Sequence, residues 1–329
     1  MNMFRETDIN RFLNGRQFFI LTAVLFVVAA WIASFSGRVP LQGSTSGICY
    51  TSAAVLSITP VVSLLLNAAG MVGVCALLSF LNRSFSFVRN MTYVFSSSYL
   101  LLAIANPYII THLYDGTMLS LVVMVVAWIM FSTYLSPYPQ RRVYLSFTIL
   151  SACCMFQYAF VYLLPVFFIG FMQMRAVSLR SVLAMVFGLA TPFWIVLGTG
   201  MVSLDSLMAP KLLNVWDGLD LSQSRFMIVS LAVTVLFTAV LIGVNVLQII
   251  RYKMQVRAYN GFFLVLSFFT MLMMAIDYNN ALVYQPVLNI CLAVQMAHTF
   301  TIKNYLRRYI PYLLFALICM AVFVWRVMY

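Results

Sequence analysis

Long apolar stretches follow one another from Gln17 to the C-terminus, separated by short polar breaks. A helix needs about 20 residues to cross the hydrocarbon core of a bilayer. A transmembrane β-barrel would show alternating segments of about 10 residues instead. The pattern therefore predicts an all-α fold, a polytopic bundle of transmembrane helices. The predicted spans are approximately 17–36, 58–81, 91–110, 117–135, 143–157, 159–174, 181–200, 226–250, 258–276, 280–301 and 310–327, about eleven in all.

Composition agrees with this class and excludes a soluble protein. Of the 329 residues, 64% are apolar and 8% are charged, whereas a soluble domain is about half apolar and a quarter charged. The net charge of +12 does not predict nucleic-acid binding, because the basic residues are spread thinly and do not cluster with aromatic residues in a polar domain. The partner that composition does predict is the lipid bilayer.

The basic residues predict the orientation, since cytoplasmic loops retain Lys and Arg. With a cytoplasmic N-terminus, 15 of the 19 basic residues fall on the inner side and 4 on the outer side. The basic N-terminus and the apolar run after it also resemble a secretory signal peptide. However, the run from Phe18 to Ile32 is longer than a usual signal core, and no clear small-x-small cleavage site follows it. We therefore predict a first membrane helix.

The stretch between Arg142 and Arg175 decides the number of spans. Its 32 uncharged residues form either one long helix or two short ones. With a single crossing, every later segment would lie on the opposite side of the membrane. The basic residues would then divide into 10 inside and 9 outside, which removes the charge asymmetry. Two full-depth helices of about 20 residues do not fit. The sequence thus predicts a hairpin of short helices at 143–174 that turns near Gln157 and is loosened by Pro165.

The chain is predicted to form a single transmembrane domain, 17–329. One amphipathic segment precedes this domain and a second lies within it. Residues 1–16 mix apolar and basic side chains, which is typical of a segment lying on the cytoplasmic face. The segment 201–225 is predicted to be an outer amphipathic loop, because apolar residues recur in it at helical spacing opposite acidic ones. The candidate substrate-binding residues of this loop are Trp216, Asp217 and Asp220.

Five of the seven acidic residues fall on the outer side in this topology, and two of them lie at helix ends. Asp115 follows His112 by three residues, and Asp277 begins a polar link between two spans. A carboxylate in a pocket at the membrane surface can act as a general base or hold a coupling proton, so Asp115, His112 and Asp277 are candidate catalytic residues. The alternative for each is a solvated loop or a helix-terminal charge. His298 is either a proton relay or a hydrogen-bonded core histidine.

Uncharged polar residues also occur at membrane depth. We expect most of them to form hydrogen bonds between helices, although they are also suited to lining a cavity. They are Asn106, Gln157, Asn245, Gln248, Gln285 and Asn289. The chain has no Walker A loop, no H-E-x-x-H, no G-x-S-x-G and no acidic cluster suited to Mg²⁺. We therefore predict neither a metal site nor a cofactor.

Three stretches in the middle of the chain, with Arg180 between the last two, carry a resemblance to known proteins: Ser97 to Pro107, Phe168 to Arg175 and Phe187 to Phe193. Over roughly 91–200 the chain resembles an uncharacterised family of Bacteroidota polytopic integral membrane proteins. The resemblance implies a bacterial inner membrane location and no particular activity.

The same region contains the short helix pair, a basic turn from Arg175 to Arg180 and a helix with Gly188 and Pro192 in a Gly-x-x-x-Pro pattern. These features also look like the middle of GT-C glycosyltransferases. That resemblance implies a polyprenyl-linked saccharide at the outer face. Residues 37–57 lack the catalytic acid that the class places in its first outer loop, so either Asp115 replaces it or the protein is not catalytic.

The leading hypothesis is a cell-envelope membrane protein that handles a lipid-linked saccharide or a related lipid. A membrane scaffold or assembly factor with membrane protein partners is the second hypothesis. A secondary transporter is the third, because such proteins usually show internal repetition, and none is evident.

Overall fold

The structure is a computed structural model that describes residues 12–13, 15–36, 47–49, 59–88, 93–202, 221–249, 252–301 and 309–328. Within these ranges the backbone is helical or forms short turns, and it contains no strand. The predicted all-α class is therefore confirmed.

The described helices follow the predicted spans closely. The N-terminal half contains α1 (Arg16–Ser36), α2 (Pro60–Phe85), α3 (Val94–Ile104), α4 (Pro107–Ile110), α5 (Asp115–Phe131) and α6 (Gln140–Cys154). The C-terminal half contains α7 (Ala159–Gln173), α8 (Leu179–Gly198), α9 (Leu221–Ile249), α10 (Met254–Ile276), α11 (Ala281–Thr301) and α12 (Tyr309–Met328). A turn of 3-10 helix, Tyr278–Asn280, joins α10 to α11.

Seven of the described helices are long and apolar enough to cross a membrane: α1, α2, α8, α9, α10, α11 and α12. This supports a multi-pass integral membrane protein. The other predicted spans coincide with shorter helices, namely α3 with α4, α5, α6 and α7. The total of about eleven crossings therefore stays a prediction.

The span predicted at 91–110 is divided at Asn106, because Pro107 cannot continue the hydrogen bonding of α3. Asn106 is extended, as residues before proline usually are. Its side-chain oxygen accepts a hydrogen bond from the Tyr108 N–H at 3.1 Å, which caps α4. Its amide nitrogen donates to Gln285 Oε1 on α11. One side chain thus begins α4 and attaches it to α11.

The predicted hairpin of short helices is present as α6 and α7, joined by a turn at 155–158. Each helix has 15 residues, or about 22 Å, which is less than the ~30 Å hydrocarbon core. The N–H groups of Ile48 and Cys49 donate to the carbonyls of Cys154 and Met155 at 3.2 and 3.0 Å. The segment that contains Ile48 and Cys49 therefore lies against this turn and donates hydrogen bonds to its carbonyl groups. Backbone groups of a turn at membrane depth need such partners.

Helix α6 packs closely against α8 at Gly188. A Cβ atom at this glycine would lie 2.7 Å from the Tyr144 carbonyl oxygen and 3.1 Å from Phe147 Cβ. Nearby, the Ser151 hydroxyl donates to the Leu189 carbonyl at 2.6 Å. The small residue lets the two backbones approach, which is how membrane helices commonly associate.

Helix α11 is the centre of the bundle. Every residue from Ala281 to His298 is buried, and the helix packs against α3, α5, α9 and α10. A helix buried on all sides is enclosed by protein and has no face for lipid. Polar side chains on α11 therefore lie in the interior of the protein.

Charged residues separate between the two ends of the bundle. The only acidic side chains among the described residues, Asp115 and Asp277, lie where α5 and α11 begin and α10 ends. We call this the acidic end, and Arg225 and Arg326 also lie there. The opposite end, called the basic end, carries Arg16, Arg83, Arg141, Arg142, Arg175, Arg180, Lys253 and Arg257.

The two predicted amphipathic segments lie mostly outside the described residues. Of 1–16, the structure includes Leu13, which is buried against Phe18 and Tyr312. Of the loop predicted at 201–225, the residues from Leu221 onward belong to α9, which begins five residues earlier than its predicted span.

Candidate functional site

Asp277 is buried at the acidic end and accepts several hydrogen bonds. Asn280 Nδ2 lies 3.0 Å from its Oδ1 and 3.1 Å from its Oδ2. The Tyr284 hydroxyl donates to Oδ2 at 3.1 Å from the first turn of α11. The backbone N–H of Asp277 closes α10 on Met273 at 2.8 Å. A carboxylate with three donor contacts is held in one orientation.

Asp115 is the first residue of α5 and is also buried. A carboxylate suits this position, since it interacts favourably with the positive end of a helix dipole. His112 lies in the preceding turn, where its Nδ1 is 3.0 Å from Thr111 Oγ1 and its ring meets Tyr114 edge to face at 5.8 Å. Asp115 interacts electrostatically with both His112 and Tyr114. The structure thus places His112 and Asp115 near each other in this turn.

The environment of this turn changes the protonation of its side chains. Burial lowers the pKa of His112, and the nearby Asp115 carboxylate partly opposes this shift. The imidazole is consequently neutral near pH 7 and can accept a proton. Burial, together with Asp115, raises the pKa of Tyr114, so this phenol stays protonated. The group thus combines a proton acceptor, a hydroxyl donor and a carboxylate.

Helix α5 begins directly against α11. A Cβ atom at Gly116 would lie 2.7 Å from the Val283 carbonyl oxygen and 3.0 Å from Pro286 Cγ. No larger residue fits here without separating the two helices. Asp115, next to this glycine, is therefore held beside the first two turns of α11, and Asp277 lies just before the same turns.

The start of α5 is also attached to α2 through a buried amide. Asn67 Nδ2 donates to the Ile109 carbonyl at 2.8 Å, and Asn67 Oδ1 accepts from the Thr117 hydroxyl at 2.7 Å. The Leu113 N–H donates to Ser63 Oγ at 2.7 Å. These bonds hold the turn that carries His112 from both sides.

A series of buried polar residues continues from this end along α11. Gln285 accepts from Asn106 and donates to Thr234 Oγ1 at 3.4 Å. Gln295 Nε2 donates to Ser267 Oγ at 3.1 Å. Neither polar atom of Asn289, which lies between them, has a hydrogen-bond partner among the described residues. Burial of an unpartnered amide costs about 1–3 kcal/mol.

His298 lies near the other end of α11. It is buried, with ring centroids 5.9 Å from Phe87 and 5.4 Å from Tyr252. This aromatic environment favours the core-histidine interpretation. Of the other predicted interhelical bonds, Asn245 Nδ2 donates to the Gln295 carbonyl at 3.2 Å. Gln157 Nε2 has no partner among the described residues.

Several residues of this site were not predicted from the sequence. Asn280 and Tyr284 bind Asp277, and Asn67 fixes the turn before Asp115. Spacing offered a signal for the first two, because positions three and seven residues after Asp277 lie on one side of a helical stretch. Asn67 had no such signal, since it lies far from Asp115 in sequence.

Three candidate residues, Trp216, Asp217 and Asp220, lie outside the described residues. Asp115, His112 and Asp277 are all brought to the acidic end. Within the described part of the chain, no group of three His, Cys, Asp or Glu side chains is placed to hold a metal ion.

Comparison with known proteins gives no relative from which an activity could be transferred. No protein-family model matches the chain, and no curated protein and no solved structure matches it significantly.

Proposed function

We propose that the protein handles a lipid-linked saccharide or a related lipid substrate at the acidic end of its bundle. The observation that carries this proposal is the burial of Asp115 and Asp277 at one end, each beside the start of α11. Carboxylates accept hydrogen bonds from the hydroxyl groups of a saccharide. The apolar lipid chain of such a substrate would lie in the bilayer beside the bundle.

His112 and Asp115 are the pair that we propose for any chemical step. A neutral imidazole next to a carboxylate suits general-base removal of a proton from a hydroxyl group. Asp277 has its own donors in Asn280 and Tyr284, and we assign it to substrate positioning. The resemblance to GT-C glycosyltransferases supports this assignment by analogy of fold alone.

We further propose that the N-terminus is cytoplasmic, that about eleven segments cross the membrane and that the protein resides in a bacterial inner membrane. The gathering of basic residues at one end of the described bundle supports the orientation. The acidic end then faces outward, where a cell-envelope substrate would be reached.

Replacement of the two carboxylates by their amides tests the proposal. Asp115→Asn and Asp277→Asn keep shape and remove charge, so each is expected to abolish complementation of a deletion phenotype without lowering membrane accumulation. Thr199→Ala is the matched control, because Thr199 is exposed at the same end and its side chain bonds only within α8. A polyprenyl-linked saccharide that co-purifies with wild type and is lost from both variants would support the substrate class. Full complementation by both variants would contradict the proposal and favour a scaffold.

A secondary transporter is the second candidate function. It is favoured by the buried polar series on α11, in particular by Asn289, and by the division of α3 from α4 at Asn106. Interrupted helices and polar groups at membrane depth are common in transporters. In a scaffold, an unpartnered amide in the central helix would cost stability without serving a function.

A further inference from the structure

A pocket opens at the basic end, between the end of α7 and the start of α10. Its volume is about 320 Å³, at the lower limit for pockets that bind small molecules. Two guanidinium-bearing residues, Arg175 and Arg257, line it, together with Tyr134, Gln173 and Gly261. It lies at the opposite end from Asp115 and Asp277, so it is separate from the site proposed above.

Arg175 has an unusual backbone conformation. Its φ is +56°, in the left-handed region. The Ala176 N–H donates to the Phe171 carbonyl at 3.1 Å, and the Arg175 N–H to the Met172 carbonyl at 3.0 Å. These two bonds form a Schellman motif that ends α7, in which Arg175 occupies the position where glycine is strongly preferred. The backbone conformation of this turn therefore does not explain why the residue is an arginine.

Gln173 adds an acceptor that lacks a donor. Its Oε1 atom is buried and has no hydrogen-bond partner among the described residues. The side chain packs over Gly261, where a Cβ atom would lie 3.4 Å from Oε1. A ligand hydroxyl or N–H group in the pocket would satisfy this oxygen.

The electrostatics of the pocket favour an anion. Neither of the two described carboxylates lies at this end, and Lys253 is nearby at the start of α10. Met254, the first residue of α10, also lines the pocket. The positive end of the helix dipole, with backbone N–H groups that lack intrahelical partners, is therefore close to the two arginines.

We propose that this pocket binds a phosphate group that carries a hydroxyl donor, as in the headgroup of phosphatidylglycerol. Arg175 and Arg257 bind the phosphate oxygens, since guanidinium groups match them in pairs. Gln173 Oε1 accepts from the headgroup hydroxyl. A soluble phosphate ester such as glycerol 3-phosphate has the same groups, and only the lipid is anchored in the membrane.

The test measures phosphatidylglycerol binding to the purified full-length protein by native mass spectrometry. Wild type is expected to bind phosphatidylglycerol in preference to phosphatidylmethanol, which has the same charge but no hydroxyl donor in its headgroup. Arg257→Gln and Arg175→Gly are each expected to weaken binding about tenfold. Arg175→Gly also relieves the backbone, so a loss of binding cannot be attributed to misfolding. Gln173→Leu is expected to remove most of the preference over phosphatidylmethanol.

Arg180→Gln is the matched control, because Arg180 is exposed at the same end but does not line the pocket. Equal loss in Arg180→Gln, or unchanged binding in Arg175→Gly and Arg257→Gln, would overturn the proposal. Competition with glycerol 3-phosphate identifies the source of the ligand. Displacement of the lipid at millimolar concentration would support a soluble phosphate ester, and failure to displace it would support the membrane lipid.

Discussion

Two amides one helical turn apart on α11 should respond in opposite ways to the same substitution. Gln285 is bonded to Asn106 and Thr234, whereas neither polar atom of Asn289 has a partner among the described residues. We compare Gln285→Ala with Asn289→Ala. Both positions are fully buried in the central helix, so exposure does not distinguish them.

The expected magnitudes follow from what each substitution removes. Gln285→Ala leaves the buried Asn106 amide without its acceptor, which costs about 1–3 kcal/mol, and the cavity adds about 1 kcal/mol. Asn289→Ala removes an unpartnered amide, a gain of about 1–3 kcal/mol, against a smaller cavity cost of about 0.5–1 kcal/mol. The two variants are therefore expected to differ in stability by about 4 kcal/mol.

Thermal unfolding in detergent measures this difference. With roughly 2 °C of Tm per kcal/mol for a chain of this size, Gln285→Ala should lie about 8 °C below Asn289→Ala. Asn289→Ala itself should match or exceed the wild type. An equal fall in Tm for both variants would refute the reasoning, because it would mean that Asn289 has a stabilising partner.

The remaining predictions concern topology and pH. In a variant that retains Cys49 as its only cysteine, a membrane-impermeant thiol reagent should label intact spheroplasts; labelling only after lysis would contradict the cytoplasmic N-terminus. Reporter fusions after Arg142 and after Arg180 should both report the cytoplasm, and opposite reports would show a single crossing at 143–174. Because the pKa of folded His112 lies below its ordinary value of 6.5, the unfolded chain binds more protons, and stability should fall as pH drops below about 6.5. His112→Gln should reduce the decrease in Tm between pH 7.5 and pH 5.5, and an unchanged decrease would exclude this origin.

The helical fold was predictable because the length of an apolar stretch is fixed by the bilayer. The hairpin of α6 and α7 was predictable for another reason: charge parity required two segments where length allowed only short ones. Helix α9 begins at Leu221, ahead of its predicted span, but its candidate membrane span, Ile228–Leu247, lies within the predicted 226–250.

The central position of α11 was harder to predict. Of the seven long apolar helices it is the least hydrophobic, which in a single sequence is typical of a marginal span. The structure gives the physical reason: a helix enclosed by protein on all sides does not need to be soluble in lipid. The sequence features that indicate this central position are the low hydropathy of α11 and its polar residues Gln285, Asn289 and Gln295.

The site was predictable only where its residues are close in sequence. The pair His112 and Asp115 was predicted because three positions separate them. The attachment of this turn to Asn67 depends on how α2 packs against α5, which no local pattern encodes. Likewise, the left-handed conformation of Arg175 conflicts with residue preference, so the sequence alone favours glycine there.

Helix α10 extends from the proposed site at the basic end to the one at the acidic end, and α7 packs against it. Coupling between the sites would require these helices to slide or rotate against their neighbours. At Gly170 on α7, however, a Cβ atom would lie 2.5 Å from Met130 Sδ and 2.8 Å from Phe262 Cδ2. The helices are packed too closely here to slide past each other by a small amount. A packed interior changes by discrete rearrangements and does not deform continuously. We therefore expect phosphate binding at Arg175 and Arg257 to fix the position of the protein in the bilayer while leaving the site at Asp115 and Asp277 unchanged.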